Sequence, residues 1–455
     1  YSIEKIKNKT IKEKMKTFRI TLVAALLGAY ALSTSTIYAQ QEPLKRLAVI
    51  SDVHLMAPAL LQKEGKAFDD YIADDRKLLV ESHELLDSVS KHIQAYNPQV
   101  MLITGDLTKD GEKVSHELLA NRYLKPLKAQ GIRVFVIPGN HDVNNPHAKI
   151  YYGDKTTRTT TVSPDEFAQI YNQYGYGDAL ARDDFSLSYV AQLDDKTRLI
   201  AVDACRYEDN NFDKDICVTS GRIKPQTMQF IKSEADKAHK LGMEVIMMMH
   251  HGIVSHFRWQ DKIMKEYLVN DWKKNAKQLA KTGIKVCFTG HFHAQDISQQ
   301  YGLTDIETGS TVSYPHPYRL IDVDTSKGTL NIRTERVEAL SSMSGSTETL
   351  QQKSEHFATS ALSSVMEKMV PKKVPEDVKS ECAGILGEAY AMHLAGDEKP
   401  SYRFKERFKT AVKRLKRHSW KWAFIMNKIG QHLSTDTGVA DNNNCISYKN
   451  TSYKK

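Results

Sequence analysis

Six apolar runs of strand length recur between residues 46 and 290, and five of them end on residues that carry chemistry. The run 47–50 leads into Ser51-Asp52-Val53-His54. The run 100–103 leads into Thr104-Gly105-Asp106-Leu107-Thr108, and 134–137 leads into Pro138-Gly139-Asn140-His141-Asp142. The run 245–249 ends in His250-His251-Gly252, and 285–288 in Gly290-His291-Phe292-His293; the sixth run is 199–202. Continuous apolar runs of this length suit strands buried on both faces. Amphipathic stretches lie between them. Leu78, Leu85, Val89 and Ile93 share one helical face. Met228, Ile231, Ala235 and Ala238 share another, opened by Pro225 and closed by Gly242. Runs of this kind alternating with helices predict an α/β fold with a largely parallel sheet. After Gly302 the runs shorten around Ile306, 320–323 and 330–332 and predict antiparallel strands.

Ligands collect at the carboxyl ends of strands in an open α/β sheet. Five separated segments therefore deliver Asp, His, Asp, Asn, His, His and His to one edge. Imidazole with carboxylate or amide oxygen, and no thiolate, suits Zn, Mn, Fe or Co. Side chains two apart on a strand end point the same way, which pairs Asp52 with His54 and His291 with His293. Seven ligands are too many for one first-row ion and suit two ions sharing a carboxylate. Two ions about 3.5–4 Å apart clamp both the attacking and the leaving oxygen of a phosphoryl transfer. Taken singly, D-x-H, G-D or N-H-D is weak. The information is in all five segments occurring in order at strand ends.

Together Asp52-x-His54, Gly105-Asp106, Gly139-Asn140-His141-Asp142, His250 and Gly290-His291-x-His293 resemble the calcineurin-like metallophosphoesterases, over residues 45–335. The resemblance implies a two-sheet αββα sandwich with a dinuclear site at its edge. It assigns Asp52, His54 and His293 to one metal and Asn140, His250 and His291 to the other, with Asp106 bridging. Gly252 stands where the family usually has Pro after its histidine, so His251 competes with His250 for the ligand position, and His250 is preferred. The branch is narrowed by Lys109, which stands where purple acid phosphatases carry Tyr. The stretch Lys109-Asp110-Gly111-Glu112 also lacks the Arg of the protein phosphatases. The forms Gly105-Asp106-Leu107-Thr108 and Gly139-Asn140-His141-Asp142 are similar to the cyclic-nucleotide phosphodiesterase branch. The stretches Gly65-Lys66-Ala67-Phe68, Asp75-Arg76-Lys77-Leu78-Leu79 and Gly111-Glu112-Lys113 with Ser115-His116-Glu117 resemble exported bacterial members with a helical tail.

The expected activity is hydrolysis of a small phosphodiester, most readily a cyclic nucleotide, by a metal-bridging hydroxide, with His141 assisting the leaving group. Asp142 is expected to orient His141 or a neighbouring loop, and Asn144, Asn145 and His147 are the candidate substrate contacts. The cofactors expected are two divalent or mixed-valence transition-metal ions, Mn, Fe or Zn. The alternatives are a phosphomonoesterase or glycerophosphodiesterase using the same site, or an exported binding protein with a structural metal site.

The formal charge of +9 looks like a nucleic-acid binder until it is located. Residues 1–19 hold seven Lys/Arg against two Glu, and 401–422 hold nine against one. Everything else sums to −4, so no specific nucleic-acid binding is expected. The first basic stretch belongs to an address. Residues 1–14 precede Met15, the expected start. A short basic segment, an apolar run and Ile37-Tyr38-Ala39 then predict a signal peptide over 15–39. The mature chain is expected to be periplasmic or secreted, without a transmembrane span. The catalytic domain is expected over 45–337, a Ser/Gly-rich linker over 338–347, a helical domain over 348–432 and a loosely ordered polar tail over 433–455. Phe404, Phe408, Val412 and Leu415 face inward on the third tail helix, whose other face, within 403–417, is basic. Of five cysteines, Cys205 and Cys217 flank a polar loop and either pair or remain small buried hydrophobes.

Overall fold

Residues 42–73, 75–436 and 438–449 of the computed structural model are described, 361–369 by backbone alone. The expected signal segment lies outside them. Two sheets dominate. Strands β1 (Arg46–Ile50), β2 (Leu61–Lys63), β3 (Val100–Ile103), β4 (Arg133–Val136), β5 (Lys149–Tyr152), β6 (Lys155–Arg158), β7 (Ala181–Arg182) and β8 (Tyr189–Asp194) come first. They are followed by β9 (Thr197–Val202), β10 (Glu244–Met249), β11 (Val286–Thr289), β12 (Asp296–Gln300), β13 (Leu303–Glu307), β14 (Pro317–Asp324), β15 (Thr329–Arg336) and β16 (Asn443–Ser447). One sheet has the order β16-β15-β14-β1-β3-β4 and the other β12-β13-β11-β10-β9-β8-β7; β2, β5 and β6 make a small third sheet.

Alternation along the strands divides the core. Val49, Leu102, Val136, Ile246, Met248 and Phe288 meet in the layer between the two large sheets. Val245, Met247 and Met249 point the other way, onto Met228, Ile231 and Ala235. These last three lie on α2 (Pro225–Lys240). On the opposite side α1 (Ser82–Tyr96) buries Leu85, Val89 and Ile93. Both faces of the central strands are thus covered, as their apolar runs require. Each fully buried aliphatic side chain contributes about 1.5–3 kcal/mol. The result is the αββα sandwich expected.

Two differences concern pairing. Strand β13, expected to be antiparallel, runs parallel to β11 and antiparallel to β12. The polar stretch expected to be loose contains β16, which extends the first sheet along β15, with Leu330 opposite Ile446. Its Ile446 is 3% exposed; one apolar residue in a polar run is enough to seat an edge strand.

Helices α3 (Trp272–Lys281), α4 (Leu350–Met369), α5 (Glu376–Ala395), α6 (Tyr402–His418) and α7 (Trp420–Leu433) complete the main elements. Pro371 and Pro375 separate α4 from α5, and Gly396, at φ 70°, follows α5. The last four helices do not stand apart from the sandwich. Phe292, between two candidate metal ligands, packs with Phe257 into the same apolar cluster as Leu386, Tyr390 and Leu394 of α5. From Pro43 on, the chain forms one compact unit. Among the described residues no helix is long and apolar enough to cross a membrane.

Candidate dinuclear metal centre

The strand ends bring their side chains together. Asp52, His54, Asp106 and His293 form one group of potential ligand atoms within 4.8 Å of one another, and Asp106, His250 and His291 form a second. Asp106 is common to both. Its Oδ2 lies 3.6 Å from His54 Nε2 and 3.3 Å from His250 Nε2. Asn140 Oδ1 is 3.2 Å from the same His250 nitrogen. His293 Nε2 lies 3.2 Å from Asp52 Oδ1 and 3.3 Å from His54 Nε2. All seven residues expected as ligands therefore lie in one cluster.

The backbone is bent to achieve this. Asp52, His54, Asp106, His291 and His293 all have φ between 41° and 78°, the left-handed region that side chains with a Cβ avoid. Such conformations cost about 1–3 kcal/mol each and persist where the surroundings over-determine them. Here the surroundings are the loops themselves. Asp52 N–H donates to Gly105 O and His54 N–H to Asp106 O, which ties the first two loops together. Two glycines permit the close approach. A Cβ on Gly290 would lie 1.9 Å from Ser51 Oγ, and one on Gly139 would lie 2.1 Å from Asp106 Oδ1.

His250 and His251 are separated by their partners. His250 Nδ1 bonds Thr104 O at 2.9 Å, which leaves Nε2 facing Asp106. His251 points its Nε2 to Thr219 O at 2.9 Å, away from the carboxylates. Burial pushes His250 down, but Asp106 outweighs it and holds the pKa up at about 9. Burial and the neighbouring His250 push His251 down to about 3. Burial likewise lowers His54 and His291 well below the ordinary histidine value, which keeps both neutral and able to offer a lone pair.

His141 is not within the ligand groups. Its ring stands edge-on to His54 with centroids 4.8 Å apart, and its backbone N–H donates to Asp106 Oδ1 at 2.9 Å. The group that orients it is Asp110, whose Oδ1 lies 2.9 Å from Nδ1. Asp142, expected to orient His141 or a neighbouring loop, is fully buried and reaches the loops. Its carboxylate accepts from the backbone N–H groups of Leu107, Thr108 and Gly139, tying the Asp106 loop to the Asn140 loop. Burial and Asp106 raise its pKa to about 7. Two of the three expected substrate contacts are also occupied. Asn145 donates from Nδ2 to His141 O and accepts from His147 N–H, while His147 Nε2 sits 2.9 Å from Asp215 O. These side chains fold the loop and have little left for a ligand. Asn144 is half-buried at φ 48°, with its own N–H bonded to Val162 O.

Two residues were missed. Asp110 was noted only as part of a stretch without Arg; its signal was an acid four residues after the bridging one. Lys77 had no signal in spacing. It is buried, paired with Asp75 at 3.3 Å, and its charge presses down the pKa values of His54 and His141. Lys109 is fully buried. It pairs with Asp110 and Glu112 and lies 4.1 Å from the centre of the Tyr71 ring. Cys205 and Cys217 are both free thiols, Cys217 donating to Asn140 O at 3.5 Å.

The donor set fits two transition ions. Asp52 Oδ1 is buried without a hydrogen-bond partner. The ligand nitrogens and oxygens stand 3.2–3.6 Å apart, close to the polyhedron edge of about 3–3.4 Å set by 2.0–2.1 Å metal–ligand bonds. Against this geometry, a sequence-family comparison matches the calcineurin-like phosphoesterase family over residues 45–295, more than half the chain. The chain belongs to that family. It is a metal-dependent phosphoric ester hydrolase. A curated relative, the probable cyclic nucleotide phosphodiesterase of Vesicomyosocius okutanii subsp. Calyptogena okutanii, is 25% identical over 248 residues, 53% of this chain and 83% of that one. Among solved structures, a dimetal phosphatase from Danio rerio aligns at 13% identity and a TM-score of 0.45, covering 65% of this chain and 97% of the other. The purple acid phosphatase PPD1 from yellow lupin (Lupinus luteus) aligns at 10% identity and 0.40, covering 65% and 52%.

Proposed function

We propose that this hydrolase cleaves phosphodiesters, cyclic nucleotides foremost, into a monoester with a free hydroxyl. The observation that carries the reading is the hold on His141. Asp110 takes Nδ1, so Nε2 is left for the oxygen that departs, and Asp106 and Asp110 outweigh burial and Lys77 to raise the ring's pKa. A diester releases an alkoxide, which needs a proton as the P–O bond breaks; His141 gives it from Nε2. Asp52, His54, Asp106, Asn140, His250, His291 and His293 would hold the ions. A pair of divalent ions there supplies a water of lowered pKa and neutralises charge on the phosphoryl oxygens. Asp142 acts only through the loops it ties.

Diester preference has separate support. Enzymes that grip a monoester dianion usually present a cationic fork. The cation of the Asp106 loop, Lys109, is buried in its own ion pairs. Arg76 is also engaged, donating to Tyr390 Oη at 2.5 Å and Tyr267 Oη at 3.2 Å. The curated relative's name agrees with this reading. One observation favours the monoester alternative: Lys77 is close enough to be felt by His54 and His141.

The test compares kcat/KM for a cyclic nucleotide and a nitrophenyl diester with that for a nucleoside monophosphate. We expect the diesters to be faster. His141→Ala should cost 10²–10⁴-fold on the cyclic nucleotide and much less on the nitrophenyl diester, whose leaving group needs no proton. Faster turnover of the monophosphate, abolished in Lys77→Met, would establish the second reading.

A further inference from the structure

The second basic stretch has no part in the metal centre. On α6 the residues Tyr402, Lys405, Lys409, Lys413 and Lys416 recur at spacings of 3, 4, 4 and 3, which places them in one line along the helix. The opposite face buries Phe404, Phe408, Ala411 and Leu415, so the direction of the line is outward. All five are exposed, as are Arg403, Arg417 and Lys421 beside them. Arg407 and Arg414 on the same helix pair with Glu388 and with Asp377 and Glu381. The lysines of the line, and Arg403, Arg417 and Lys421, pair with no carboxylate among the described residues. Glu406 is the one acid on the helix. An ordinary solvated helix face mixes both signs in comparable numbers; here Glu406, exposed on the same face as Lys409 and Lys413, is a single acid against four lysines.

Exposed aromatic rings stand at the ends of the line. Tyr402 is 80% exposed at its start, Trp420 is 74% exposed just past its end, and Phe424 is 51% exposed one turn further on. At the α6–α7 corner a shallow cavity of about 450 Å³ is lined by Lys373, Lys416, Arg417, Trp420, Lys421 and Trp422. A line of unpaired cations with exposed aromatic rings at its ends matches an anionic phospholipid leaflet. Its phosphates are held by Lys and Arg, and tryptophan and tyrosine sit at headgroup depth. A single-stranded nucleic acid would instead need a groove tracking its backbone, with aromatic platforms between the cations. Here the rings flank the cations.

We propose that the α6–α7 face docks on an anionic phospholipid surface, with a headgroup phosphate in the corner cavity. The proposal is independent of the substrate. It is tested by co-sedimentation of the whole protein with vesicles of phosphatidylcholine alone and of phosphatidylcholine with one quarter phosphatidylglycerol. Binding is expected only to the latter, and is expected to weaken as salt rises. Each lysine near such a surface accounts for about a fivefold change in partitioning, so Lys405→Gln with Lys409→Gln and Lys413→Gln should cost on the order of 100-fold. Trp420→Ala should weaken binding with unchanged salt dependence. Hydrolysis of a soluble nitrophenyl ester should match wild type in both variants, which shows that they fold. Absence of binding to the anionic vesicles would overturn the proposal, as would wild-type binding by the triple variant. So would tighter binding of a DNA fragment through the same lysines.

Discussion

His250 and His251 are adjacent in the chain and opposite in surroundings, and that difference is a matter of one hydrogen bond each. Thr104 O takes Nδ1 of His250 and turns its other nitrogen to Asp106; Thr219 O takes Nε2 of His251, whose ring lies beside those of His250 and His291 but belongs to neither ligand group. Removing a ligand therefore differs from removing its neighbour. His250→Ala should lose metal measured by elemental analysis and at least 100-fold in activity, while His251→Ala should keep most of its metal. Equal metal loss in both would mean that His251 belongs to the centre. The same reasoning separates the acids. Asp52 and Asp106 were legible from the strand-end pattern, because alternation and chain order determine where they point. Asp110 was not, and Asp142 was legible only as an acid orienting either His141 or a loop, because both are buried acids on neighbouring loops and only their partners tell them apart. Asp110 reaches an imidazole; Asp142 reaches three backbone N–H groups.

At the scale of elements, the apolar periodicities of α2 and α6 in the sequence agree with the faces that are buried, while α5 is buried nearly all round. What α5 and α6 are packed against was not in the pattern. Gly430 on α7 shows how tight that packing is. A Cβ there would lie 2.2 Å and 2.6 Å from the Phe408 ring and 3.2 Å from Leu386. Phe408 is itself 8% exposed and has little room to retreat. Gly430→Ala removes a helix-weakening glycine, a gain of up to about 1 kcal/mol. Overpacking costs about 1–3 kcal/mol and should win. We expect a lower thermal midpoint, measured by circular dichroism, with the metal content unchanged. A raised midpoint would show that the helices can part. Strand β16 is the contrary case: it lies in a polar stretch with one buried Ile, and pairing along β15 makes it a strand.

At the scale of the molecule, a buried ionic network joins the helical layer to the sheet that carries the His250 and His291 loops. His256, 3% exposed, has Nδ1 at 2.6 Å from Asp296 and Nε2 at 3.2 Å from both Asp305 and Glu307. Asp305 in turn accepts from the N–H groups of Ile253 and Val254, just after His250 and His251. His393 and Glu398 bring the same network to the end of α5, and Arg319 lies buried beside it. Burial opposes charge on His256, but Glu307, Asp296 and Asp305 outweigh it and hold its pKa well above the ordinary value. Burial raises Glu307 to about 8. Both groups hold protons in the folded state that they release on unfolding near neutral pH. For His256, stability is fully present below its unfolded value of about 6.5 and is lost as pH rises through its folded value. Glu307 acts in the same direction between its unfolded value, near 4.5, and about 8. The denaturant midpoint should therefore fall as pH rises from 6.5 to 8. In Glu307→Gln, which mimics the protonated carboxyl, the slope should be shallower by up to about 1.4 kcal/mol per pH unit. A slope unchanged by the substitution would place the titration elsewhere. The network was invisible in the sequence, because His256, Asp296, Asp305 and Glu307 share no spacing. By itself the sequence determined an α/β class and a donor set on strand ends, since burial on both faces forces continuous apolar runs and metal chemistry forces particular side chains onto strand ends; the αββα sandwich was what the family resemblance implied. Only the tertiary structure decided which buried charge meets which. Asp110 holding His141 and His256 among three acids are contacts between loops far apart in the chain, and no local periodicity records such distances.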